Sequence, residues 1–124
     1  MIIVYGFAEV NRRTKQARKW LLDHNLQHQM ITKDGLTKDI LKKILVVSDN
    51  GFDDILISEK RTKIYKNMTA LRKLTTIQLL DTILANPKLL KEPIIFDDNK
   101  MLTGYNSDEI RKFLPRTKNN RPKA

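Results

Sequence analysis

The chain has 124 residues, 40% hydrophobic and 31% charged, with 24 Lys and Arg against 14 Asp and Glu for a formal net charge of +10. That length suits one hydrophobic core, which typically serves ~100–150 residues, and the apolar fraction is too high for a disordered chain. Cysteine is absent, which excludes disulfides, thiolate nucleophiles and thiolate metal sites. The two histidines, His24 and His28, fall short of the three or four protein ligands zinc usually takes, so no metal and no cofactor is expected. No apolar run approaches the ~20 residues of a membrane helix. Arg12 and Arg13 follow the first apolar residues, unlike a secretory signal. The expectation is a cytoplasmic monomer without membrane contact.

Met1–Tyr5 reads as a buried strand ending at Gly6. Thr14 is placed to cap a helix with Ala17, Trp20, Leu21 and His24 on one face, closed by Asn25. His28–Thr32 forms a second strand and Asp34-Gly35 a turn. Strand, crossover helix and strand imply a right-handed parallel pair.

Thr37 opens a helix with Ile40, Leu41, Ile44 and Leu45 on one side, interrupted at Asp49-Asn50-Gly51, where the glycine reads as a helix C-cap. Ile64, Tyr65 and Met68 suggest a short amphipathic helix, and Thr76–Leu84 a longer one ended by Asn86-Pro87. Pro93–Phe96 and Met101–Tyr105 read as a hairpin around Asp97–Lys100. Asn106 or Ser107 caps a last helix through Phe113, stopped by Pro115. The fold class is therefore α/β. It is a thioredoxin-like mixed four-stranded sheet in a single domain over residues 1–115, with a helical insertion over about 37–90. Residues 116–124 form a mobile basic tail, carrying Arg116, Lys118, Arg121 and Lys123 without an acid. Trp20, Tyr5, Phe96 and Phe113 read as core.

The strings Pro87-Lys88-Leu89-Leu90-Lys91-Glu92-Pro93-Ile94-Ile95, Gly104-Tyr105-Asn106 and Asp108-Glu109-Ile110-Arg111-Lys112-Phe113-Leu114-Pro115-Arg116 carry a resemblance. With Ala17–Leu21 and Asp49-Asn50-Gly51, they resemble the Spx branch of the ArsC-like (arsenate reductase) family. The resemblance implies the same thioredoxin-like fold with a helical insertion. It also implies transcription regulation under stress, through binding of the C-terminal domain of the RNA polymerase α subunit.

That family places Cys-x-x-Cys after the first strand, where this chain has Asn11-Arg12-Arg13-Thr14. Neither arsenate reduction nor a disulfide switch has the sulfur it needs, and no enzymatic activity is expected. Glu92 stands where relatives carry arginine, which disfavours an oxyanion, and an ion pair from Glu92 to Arg12 or Arg13 could fix the loop instead. Pro93 matches the family's structural cis-proline. The resemblance places the polymerase contact on Asn11, Arg12, Arg13, Thr14, Asn50 and Gly51. It assigns Arg61 and Lys63 to weak promoter DNA contact, which a few cations make salt-sensitive and sequence-blind. The expected function is thus a redox-independent regulator. The alternative is a degenerate ArsC-like protein that binds another protein or an anion without catalysis.

Overall fold

The computed structural model describes residues 1–57 and 73–115. Arg61, Lys63, the helix expected around Ile64, Tyr65 and Met68, and the basic tail lie outside the described residues.

Strands β1 (Ile2–Tyr5), β2 (His28–Ile31), β3 (Ile94–Phe96) and β4 (Met101–Thr103) form one sheet in the order β2-β1-β3-β4. β1 runs parallel to β2 and antiparallel to β3, while β3 and β4 form the hairpin. Parallel pairing of β1 and β2 requires a crossover, and α1 (Arg12–Asp23) supplies it.

The two central strands alternate their side chains between two cores. Ile2 and Val4 of β1 and Ile95 of β3 pack with Ala17 and Leu21 of α1, and with Ile110 and Phe113 near the end of the described chain. Tyr5, Ile94 and Phe96 point the other way. They meet Leu41 and Ile44 of α2 (Lys38–Val46), Ile55 of α3 (Phe52–Ile55), and Leu79, Leu80 and Ile83 of α4 (Thr76–Ala85). Trp20 is only half-buried and stacks on His24, with ring centroids 4.0 Å apart. Lys38 bonds Asp81 at 2.8 Å, tying α2 to α4 on the surface.

Thr37 caps α2 as expected, its hydroxyl accepting from the Ile40 N–H. A capping box at Thr75 and Gln78 starts α4. The boundaries of the first and last helices differ from the sequence reading. Helix α1 begins earlier, because Asn11 is the N-cap and Thr14 sits inside the first turn. Asn at this position accepts the orphan N–H of Thr14 and leaves the Thr14 side chain free to be buried. The last helix is a 3-10 turn over Glu109–Phe113, since the Asn106 side chain accepts from both Asp108 N–H and Glu109 N–H and tightens the chain before it can wind. Among the described residues, no helix is long and apolar enough to cross a membrane.

Candidate functional site

The loop from Gly6 to Val10 carries the chain from the central strand into α1. The carbonyl of Phe7 accepts from both Val10 N–H and Asn11 N–H, which folds the loop back on itself. That turn sets Asn11 at the helix start. The Asn11 side-chain carbonyl then accepts twice from Thr14, from its N–H at 2.9 Å and its hydroxyl at 3.0 Å. Thr14 is fully buried. A Cβ added to Gly6 would lie 2.5 Å from the Thr14 hydroxyl, so the loop closes directly over that side chain.

Arg12 and Arg13 lie exposed in the same turn, and the first turn of α1 contains no acid. They line a cavity of about 780 Å³ with Asn11, Lys91, Glu92 and Gly104. The opposite wall includes Ile57, brought in by a short antiparallel pairing of Leu56 with Leu90. Backbone bonds from Ile57 N–H to the Leu89 carbonyl and from Lys91 N–H to the Ile55 carbonyl, each 2.8 Å, fix this approach.

The Glu92–Pro93 peptide bond is cis, and Pro93 is buried. Glu92 forms no ion pair within 4.0 Å of Arg12 or Arg13, contrary to the pairing considered from the sequence. Its carboxylate accepts from the Phe7 N–H at 3.3 Å, which turns it toward the loop backbone. Glu9, the nearest loop carboxylate, reaches Arg18 at 3.7 Å and not Thr14. Among the described residues, no cluster of His, Asp and Glu could hold a metal ion.

Asn50 and Gly51 occupy a separate corner, one turn of α3 away from Ile57. Gly51 is not the C-cap of α2, which ends at Val46 with Val47 in that position. It is the N-cap of α3, with φ +61° and ψ −134°, a conformation that disfavours any side chain. Asp54 pins the corner by accepting from Asn50 N–H at 2.8 Å and Ser48 Oγ at 2.9 Å. The Asn50 N–H, then the Asn50 and Ser48 side chains, hold the Asp54 carboxyl below its ordinary range. Among the described residues, nothing lies within 4 Å of a Cβ built on Gly51, so a partner's backbone can come close there.

Sequence reasoning missed Phe7 and Val10, two exposed apolar side chains in the β1–α1 loop. Their spacing of three residues across a turn was the available signal. It also missed Lys91, Thr103 and Gly104, which converge on the first cavity from the far end of the chain.

Comparisons with known proteins agree with the fold. The family model described as the ArsC family matches residues 9–113. The global transcriptional regulator Spx 1 of Oceanobacillus iheyensis is 38% identical over 106 residues, covering 83% of this chain and 79% of that protein. The regulator Spx of Streptococcus agalactiae serotype V is 40% identical, covering 82% of this chain and 75% of its own. An arsenate reductase from Vibrio cholerae superimposes with a TM-score of 0.70 at 15% identity, over 91% of this chain and 97% of that one, which shows a shared fold. The chain belongs to the ArsC family, on the branch that carries the Spx regulators.

Proposed function

We propose that the protein regulates transcription by docking on the C-terminal domain of the RNA polymerase α subunit, independently of thiol redox state and without catalysis of its own. The observation that carries this reading is the arginine pair opening α1. A helix begins with its positive end, and the first turn of α1 contains Arg12 and Arg13 with no acid. Each exposed cation there opposes the helix by about 0.3–1 kcal/mol. Helix stability does not favour these residues, whereas an acidic partner surface does.

Redox independence rests on Asn11 and Thr14. They occupy the two ends of the turn and are joined by a hydrogen bond that no oxidant or reductant alters. Gly51, with open space before it, supplies a second contact where a partner's backbone fits. Arg61 and Lys63 add weak promoter contact, useful only when tethering raises the local concentration. Glu92 in the wall of the Arg12–Arg13 cavity offsets the positive charge there and disfavours an oxyanion substrate.

Calorimetric titration with the purified α C-terminal domain tests the reading. The double variant Arg12→Glu/Arg13→Glu should weaken binding by tenfold or more, equivalent to about 1.4 kcal/mol, while raising the melting temperature. Unchanged affinity overturns the proposed surface. Arsenate turnover by the purified protein overturns the absence of catalysis.

A further inference from the structure

A second cavity, of about 600 Å³, opens on the other side of the β1–α1 loop. Phe7, Val10, Pro87 and Leu90 give it apolar walls, and Tyr5 and Glu92 line it too. Its volume lies within the range of ordinary small-molecule sites, about 300–1,000 Å³.

Tyr5 is only 4% exposed, yet its hydroxyl has no hydrogen-bond partner among the described residues. Tyr5 lines the cavity, so a bound molecule could use this hydroxyl, which phenylalanine would not offer. Burial, and then the nearby Glu92 charge, push the Tyr5 hydroxyl up to about 12, so it remains a protonated donor at neutral pH. Glu92 offers the opposite valence. One of its carboxylate oxygens is held by the Phe7 N–H, and the other has no donor among the described residues. Lys33 with Asp34, and Lys88 with Glu92, leave the lining without net charge, which favours an uncharged ligand over an ionic one.

We propose that this cavity is a binding site for a small, uncharged amide-bearing molecule with an apolar body. The body packs on Phe7, Val10, Pro87 and Leu90, the amide carbonyl accepts from Tyr5, and the amide N–H donates to Glu92. An amide is the simplest neutral group that carries both the acceptor and the donor this wall requires. The inference is independent of the polymerase reading, and its test does not use polymerase binding.

N-acetyl-phenylalaninamide and N-acetyl-leucinamide serve as probes, titrated into the full chain and followed by amide ¹H–¹⁵N chemical shifts. Binding is expected on the order of millimolar for molecules of this size, with saturable shifts at Gly6, Phe7, Val10 and Thr32. Tyr5→Phe should weaken binding about five- to tenfold without lowering the melting temperature, a combination that loss of structure does not produce. Val10→Asp, on an exposed side chain, should also abolish the shifts while leaving the fold intact. Silence with both probes, shifts confined to another surface, or full affinity in Tyr5→Phe overturns the proposal.

Discussion

The Thr14 hydroxyl donates to the Asn11 side-chain carbonyl at 3.0 Å, directly beneath Gly6. This one bond joins the two ends of the turn onto which the sequence resemblance maps Cys-x-x-Cys. It also completes the N-cap of α1, so the loop's shape and the helix's start depend on the same carbonyl.

Removing that carbonyl should therefore cost more than an ordinary cap. Asn11→Ala leaves the Thr14 N–H and the buried Thr14 hydroxyl without their acceptor. The expected loss is about 1–2 kcal/mol, measured by urea unfolding, and Asn11→Asp should recover most of it. A loss within error of zero would show that the cap contributes nothing.

Installing sulfur at both ends should create a thiol-redox sensitivity, for which the natural chain has no cysteine. The double variant Asn11→Cys/Thr14→Cys is expected to bind the polymerase domain differently after diamide and after dithiothreitol. The unaltered protein should bind equally under both. Equal binding by the variant would show that this turn does not communicate with the docking surface.

The β3–β4 hairpin offers a pH-dependent prediction. Burial raises the Asp97 carboxyl, but bonds from the Asn99 and Lys100 N–H groups and from the Lys100 ammonium outweigh it and hold the carboxyl below its ordinary range. The folded state thus keeps the charge to lower pH than the unfolded chain. This stabilisation is complete above about pH 4, the unfolded value, and drains away as pH falls through the folded one. Asp97→Ala should lower stability at pH 7 by about 1–2 kcal/mol and flatten the acid dependence of the melting temperature.

Tyr5 gives the alkaline counterpart. Its hydroxyl loses a proton in the unfolded chain near pH 10 and in the folded one near 12. Between those values the unfolded state releases the proton first, so stability falls as pH rises. Tyr5→Phe should remove that decline, as followed by the unfolding midpoint from pH 9 to 11.

The sheet was legible because strand periodicity, turn residues and crossover handedness all act locally or through chain sterics. Ile2 and Val4 against Ile3 and Tyr5 already state which side chains share a face. Boundaries were less legible where two good candidates compete. Asn11 and Thr14 both suit a cap, and only the turn on the Phe7 carbonyl decides for Asn11. Gly51 was read as ending one helix when it starts the next, because a glycine with positive φ serves either purpose. The candidate site was half visible. Its N-terminal residues are contiguous, whereas Lys91, Glu92, Thr103 and Gly104 join them only through the sheet. The direction of the Glu92 carboxylate depends on a loop N–H that no spacing rule anticipates.

The antiparallel pairing of β1 with β3 sets Val4 opposite Ile95, a residue far later in the chain. On a ribosome adding roughly 5–20 residues per second, the first strand therefore waits several seconds for its second neighbour. During synthesis its apolar residues and one unpaired edge stay open to chaperones or to other nascent chains. Slowing translation after the first strand should raise aggregation of this protein more than slowing it after Phe96, when both neighbours are available.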